Sequence, residues 1–188
     1  MMGSLHLEKK GLRGLAIAES FDRDSDTSVL SGVVMRRDFV IDGFVLGHTT
    51  LYADDSTDVI LSMYNRLHRS DINYLLISGL IISLYNVVDV KRLYDLIKIP
   101  VIGIAYDDSP GIAQVLERRF PSSHKKIAAY AKLGPREKII LHTAHNIFIR
   151  CHGCSTKEAT HLLNGLTLQG ALPEPIRISK MLSRVLRN

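Results

Sequence analysis

Residues 73–106 read NYLLISGLIISLYNVVDVKRLYDLIKIPVIGIAY, and this stretch decides the fold. Tyr74 to Ile77 is a short apolar run closed by Ser78-Gly79, and Val101 to Ala105 is a second run behind Pro100. Between them, Val87, Val90, Leu93, Tyr94 and Ile97 recur at helical spacing, which predicts a helix with Asn86 as its N-cap and Pro100 barring its continuation. Strand, crossover helix, strand is a parallel unit. Both runs are apolar on both faces, so each requires cover above and below, the condition of central strands in an α/β sheet. Ligands of such sheets sit at the carboxyl ends of the strands. Ser78-Gly79 and Tyr106-Asp107-Asp108 are therefore the positions of interest.

Working toward the N-terminus, Leu12 to Glu19 is an apolar run that ends in a carboxylate, followed by the Asp- and Ser-rich loop Ser20 to Ser28. Val29 to Arg36 and Phe39 to Gly47 read as strands joined by a tight hairpin at Arg37-Asp38, so the sheet opens with antiparallel strands. A helix is expected from about Ser56 to Arg69, with Asp55 or Ser56 as its cap. Working toward the C-terminus, helices are expected from Ser109-Pro110-Gly111 through about Phe120, and from Ser122 or Ser123 through about Leu133. Lys138 to Leu141 and Ile147 to Cys151 form a second hairpin. The capping-box pattern Ser155-Thr156-Lys157-Glu158 opens a helix to Leu166, and Pro175 to Leu186 is the last one.

The chain has 188 residues, 46% of them hydrophobic, enough to bury one good core, and a single domain is expected. The first eleven residues lack the pattern of a signal peptide, and no apolar run reaches the roughly 20 residues of a membrane-spanning helix, so a soluble, cytoplasmic protein is expected. Two cysteines make no disulfide framework. The net charge of +5 is unevenly spread: from Gly111 onward there are 13 Lys or Arg against 4 Glu and no Asp, whereas residues 1–110 carry 11 against 15 acids. A basic back half is either a set of solvated helix faces or a surface for a polyanion.

Three groups of carboxylates carry the candidate chemistry. Glu19 ends a buried strand, where a charge costs desolvation unless it is paired, exposed or holding a cation. Asp54, Asp55 and Asp58 stand where the chain enters a helix, and Asp107 and Asp108 follow the last central strand. Converging carboxylates of this kind hold Mg²⁺ or Mn²⁺ and leave positions open for phosphate oxygens and an attacking water. Glu19, Asp55, Asp107 and Asp108 are the candidate metal ligands, the first three also the candidate catalytic groups, although Asp55 equally suits a helix cap. Arg118, Arg119, Lys125 and Lys126 are the candidate phosphate contacts, or else solvated helix faces. Cys151 and Cys154 with His142 and His145 do not make a zinc site, since about 3.3 Å per residue separates the hairpin's tip from its base by roughly 15–20 Å. Cys154 precedes a helix, which leaves thiol chemistry open. No hydrolase triad, dinucleotide fingerprint or phosphate-binding loop is present.

The order of elements, with an acidic first strand, is similar to a ribonuclease-H-like core. More specifically, GLAIAESF (14–21), SGVVMRRDFVIDGFVLG (31–47), ADDSTD (53–58), DINYLLISGLIISLYNVVD (71–89) and LTLQGALPEPIR (166–177) resemble an uncharacterised, largely archaeal family related to endonuclease V. That enzyme cuts nucleic acid near deaminated adenine with Mg²⁺ held by carboxylates. The resemblance places Glu19 at its first-strand position, with Glu for the usual Asp, and Asp55 at its second. Its third carboxylate is an Asp-Gly pair closing the fourth strand, which is Ser78-Gly79 here. The histidines that follow it are replaced within Leu80 to Asn86, and its Lys after the fifth strand is Tyr106.

Two functions are therefore expected. One is a protein that binds RNA or DNA on an endonuclease V-like scaffold with an incomplete metal site and little cleavage. The other is a divergent Mg²⁺- or Mn²⁺-dependent endonuclease or phosphodiesterase.

Overall fold

The computed structural model describes residues 11–187, so the stretch 1–10 expected to lack a signal peptide lies outside the described residues. Nine strands and six helices follow one another as β1 (Arg13–Phe21), β2 (Thr27–Arg36), β3 (Ile41–Thr50), α1 (Ser56–Arg66), β4 (Ile72–Ser78), β5 (Ile81–Ile82), β6 (Asn86–Val87), α2 (Val90–Ile97), β7 (Val101–Ala105), α3 (Ala113–Arg119), α4 (His124–Lys132), β8 (Glu137–Ile140), β9 (Asn146–His152), α5 (Thr156–Leu166) and α6 (Glu174–Arg187). Seven strands form one mixed sheet in the order β3-β2-β1-β4-β7-β9-β8. β1 pairs antiparallel with β2 and β2 with β3, whereas β1, β4 and β7 run parallel. This is the ribonuclease-H-like arrangement expected from the sequence.

Period-two alternation sends successive side chains to opposite faces, and both faces are buried. Leu15 and Ile17 of β1 join Leu75 and Ile77 of β4 in a core closed by Ile60 and Met63 of α1 and Leu93 of α2. Ala16, Tyr74, Leu76 and Ile102 point the other way, under Leu162 and Leu163 of α5 and Ile176 of α6. Gly14 is required on that face: a Cβ there would lie 1.9 Å from the fully buried Tyr74 ring.

One local expectation is corrected. Asn86 does not cap the crossover helix, which begins later, at Val90, with the Asp89 carboxylate accepting from Arg92 N–H at 2.8 Å. Asn86 instead turns back to α1, where its Oδ1 accepts from Ser56 N–H at 3.2 Å, and residues 81–87 form a small hairpin of β5 and β6. The C-terminal hairpin joins the main sheet. β9 pairs antiparallel with β7 and extends the main sheet, while α6 crosses back onto β1 and β2. There Ser31 and Ser179 exchange hydrogen bonds, each hydroxyl donating to the other's carbonyl at 2.6 and 2.7 Å. Two small side chains let helix and strand approach closely. As foreseen, Ser155 and Glu158 close a reciprocal capping box on α5.

Candidate active site

β1 delivers Glu19 to the carboxyl end of the sheet, half-buried, beside the β5–β6 hairpin. Ser83 in that hairpin meets it with two donors: its backbone N–H reaches the two carboxylate oxygens at 3.0 and 2.8 Å, and its hydroxyl reaches Oε2 at 3.0 Å. Ser83, Leu84 and Tyr85 carry φ of 46°, 53° and 76°, a left-handed run that points the Ser83 N–H at the carboxylate. Behind it, the hydroxyls of Ser28, Thr49 and Ser83 stand 2.5–2.6 Å apart in a fully buried triangle. Burial raises the Glu19 pKa above its ordinary value, and the bonds from Ser83 and Ser28 only partly oppose it.

Glu19 faces a cleft of about 320 Å³ whose other walls are Ser20, Phe21, Ser78 and two cations of α6, Lys180 and Arg184. A second cavity, of about 330 Å³, shares Ser78 and Lys180 with it and runs under the ends of β4 and β7 to Arg136 and Arg150. Lys180 thus stands between the two, its ammonium 4.5 Å from the centre of the Tyr106 ring. Burial lowers the Lys180 pKa and neighbouring Arg184 lowers it further, against a smaller opposite effect of Asp107. Burial raises the pKa of the Tyr106 hydroxyl, against a smaller opposite effect of a hydrogen bond with Ser78.

The carboxylates proposed as one metal site are spread out. Asp55 is tied into the chain at the entry to α1, accepting from Thr50 N–H at 3.0 Å and from Asn86 Nδ2 at 2.6 Å. Asp107 lines the second cavity rather than the Glu19 cleft, and Asp108 is exposed. Among the described residues, no three His, Cys, Asp or Glu side chains come together as a group able to hold a metal ion. The residues present therefore do not fit a preformed carboxylate metal centre; the Glu19 cleft offers one carboxyl and two cationic side chains. Of the expected phosphate contacts, Arg118, Arg119 and Lys125 are exposed on α3 and α4. Lys126 departs from the expectation: it is 3% exposed, donating to Asp54 at 2.5 Å and to the carbonyls of Ala53 and Tyr85.

Lys180 and Arg184 were not singled out from sequence. The spacing of Arg177, Lys180 and Arg184 along the last helix did put three cations on one stripe. In the fold α6 lies over β1 and β2, and the Ser31–Ser179 contact there joins residues 148 apart.

A family model described as Endonuclease dU matches residues 10–187. The chain belongs to the Endonuclease dU family. A UPF0215 protein of Pyrobaculum aerophilum is 30% identical over 174 residues, which span 92% of this chain and 93% of that relative. Among solved structures, a protein of unknown function from Archaeoglobus fulgidus superposes with a TM-score of 0.80 at 24% identity, covering 93% of this chain and 97% of that one. Endonuclease V of Ciona intestinalis, crystallised with a 24mer DNA containing an inosine followed by a ribo-adenosine, superposes at 0.61 with 16% identity, covering 93% and 84%. This chain thus has the fold of endonuclease V. No helix among the described residues is long and apolar enough to cross a membrane.

Proposed function

We propose that this member of the Endonuclease dU family acts on nucleic acid at the cleft between β1 and α6, as an endonuclease on strands carrying a deaminated base, with deoxyuridine, the nucleoside in the family's description, as the favoured one. The observation that carries the reading is the placement of Glu19 across one cleft from Lys180 and Arg184. Two cations suit a phosphodiester, because fixed positive charge favours the extra negative charge that builds on phosphate as a nucleophile adds. A half-buried carboxyl whose pKa is raised by burial is, once ionised, a stronger base toward an attacking water than an exposed one. Ser83 holds that carboxyl from behind and leaves its cleft side to the substrate.

A second reading is binding without cleavage. It is favoured by Ser78 standing where the endonuclease V pattern has an Asp, and by the absence among the described residues of a gathered carboxylate group. On either reading the partner proposed is RNA or DNA and the location proposed is the cytoplasm, with Mg²⁺ or Mn²⁺ tested as an added requirement.

The experiment is a nicking assay on end-labelled DNA and RNA containing deoxyuridine or uridine, inosine or neither, with Mg²⁺, Mn²⁺ or chelator, for wild type, Glu19→Gln and Lys180→Met. Cleavage beside deoxyuridine that both substitutions abolish is the expected result. Binding without cleavage selects the second reading, with Lys180→Met lowering the slope of affinity against salt by about one phosphate contact. Absence of binding even at low salt rejects both.

A further inference from the structure

Cys151 and Cys154 stand at the other end of the sheet from the Glu19 cleft. That cleft opens at the carboxyl ends of β1 and β4, whereas β9 runs antiparallel to β7 and pairs Cys151 with Ile102, near the start of that strand. Cys151 is half-buried against the core under α5, and Cys154 is enclosed, 6% exposed, just ahead of the Ser155 cap. Between them Gly153 has φ of 84°, and a Cβ there would lie 2.2 Å from the Tyr94 ring and 3.2 Å from Pro100 Cα, so the turn is backed closely by α2 and the chain that follows it. The Cys151 thiol donates to the Cys154 carbonyl at 3.5 Å, and the two thiols are hydrogen-bonded to each other. The fold thus holds one accessible sulfur in contact with one enclosed sulfur.

A thiol is a nucleophile only as its thiolate. The hydrogen bond from Cys154 favours that form of Cys151 and Thr156 adds a smaller one, while burial and the carboxylates of Glu137 on β8 and Glu158 on α5 oppose it. Cys154 has the reverse balance, since its bond to Cys151 and its burial keep it protonated. Once the Cys151 sulfur carries a substituent its charge is gone, and with it the largest influence holding Cys154 back. One thiol attacks first and the other follows.

We propose that Cys151 and Cys154 form a dithiol site that reduces uncharged or cationic low-molecular-weight disulfides and closes to a disulfide in doing so. The Cys151 thiolate attacks one sulfur of RS–SR, whose S–S bond breaks, and RS⁻ leaves and takes a proton from water. Cys154 then gives its proton to solvent as its sulfur attacks Cys151 Sγ and expels the second RS⁻. The two protein thiols lose two electrons and one disulfide becomes two thiols. Their sulfurs close from hydrogen-bond contact to about 2.05 Å. Glu137 and Glu158 set the preference, because fixed negative charge beside the nucleophile repels an anionic disulfide such as oxidised glutathione and not a cationic one such as cystamine. The site is separate from the nucleic-acid cleft, and its test involves no nucleic acid.

Full-length wild type, Cys154→Ser, Cys151→Ser and Glu137→Gln are incubated at mildly alkaline pH with excess cystamine or oxidised glutathione, blocked with N-ethylmaleimide and weighed intact, and the modified peptides are mapped by mass spectrometry. Wild type is expected to lose two hydrogens, to take up no maleimide and to yield a peptide joined between Cys151 and Cys154. Cys154→Ser is expected to stop as the mixed disulfide on Cys151, and Cys151→Ser to stay unmodified. Cystamine should react at least about threefold faster than oxidised glutathione, the scale of one screened charge contact, with a smaller ratio in Glu137→Gln. A wild type that stays reduced, ends as a stable mixed disulfide or joins two molecules overturns the proposal, and oxidised glutathione reacting as fast as cystamine overturns the stated preference. Should Cys154→Ser fail to fold, the mass and peptide map of the wild type decide.

Discussion

The backbone N–H and the hydroxyl of Ser83 converge on the carboxylate of Glu19, so the side chain at the end of the first strand is fixed by a residue 64 positions further along. Two donors on one carboxylate favour its charged form, yet burial outweighs them and leaves the pKa raised.

That balance has a sign. A carboxyl whose folded pKa lies above its unfolded value of 4.5 contributes stability at pH below 4.5 and loses it as pH rises through the folded value. Glu19→Gln, which stays neutral, should therefore melt increasingly above wild type as the pH is raised from the acid side, and the two curves should run parallel again once Glu19 is fully ionised. Ser83→Ala removes one bond to the charged form, so the Glu19 carboxyl resonance followed by carbon NMR should titrate higher still. A Glu19→Gln protein with the same pH dependence as wild type would contradict this account.

Lys126 cross-links three segments through Ala53, Asp54 and Tyr85. Replacing it with Met leaves two carbonyls and a carboxylate without their donor. The expected loss is about 2–3 kcal/mol, short of a fully enclosed pair because Asp54 is 36% exposed. In a chain of this size that is roughly 4–12 °C in melting temperature. An unchanged melting curve would mean the ammonium contributes no net stability.

Cys151, near the end of β9, and Cys154, on the turn before α5, are free thiols. A hydrogen bond from Cys154 is the largest influence on Cys151, whose thiol is pushed down to about 7, while the same bond and burial push Cys154 up. Iodoacetamide should label Cys151 with a rate that rises through pH about 7 and leave Cys154 untouched. Cys154→Ser should slow that labelling at neutral pH; equal labelling of both thiols would refute the assignment.

Much of the sheet was legible because its signals are local. Tyr74 to Ile77 and Val101 to Ala105 are apolar without interruption, and the Ser155–Glu158 box marks a helix start within four residues. Asn86 was misread because a capping side chain looks the same from sequence whichever helix it caps; only the hairpin at residues 81–87 turns it toward Ser56. The expected acids were individually present but not gathered, since strand ends give a rim and not the direction in which each side chain leaves it. Asp107 opens onto the neighbouring cavity, and Asp55 is occupied by Thr50 and Asn86. Lys180 and Arg184 escaped notice for a different reason: nothing near them in the chain refers to β1.

The crossing of α6 over β1 and β2 also sets an order in time. A growing chain that has been synthesised as far as Leu166 already contains Glu19, Ser83 and the central strands, but its cleft would hold an acid with neither cation opposite. Attraction for a polyanion at that cleft is thus acquired only when the last helix docks through Ser31 and Ser179. An unfinished copy on the ribosome, itself surrounded by RNA, would carry the acid but not the charge that draws a phosphate to it.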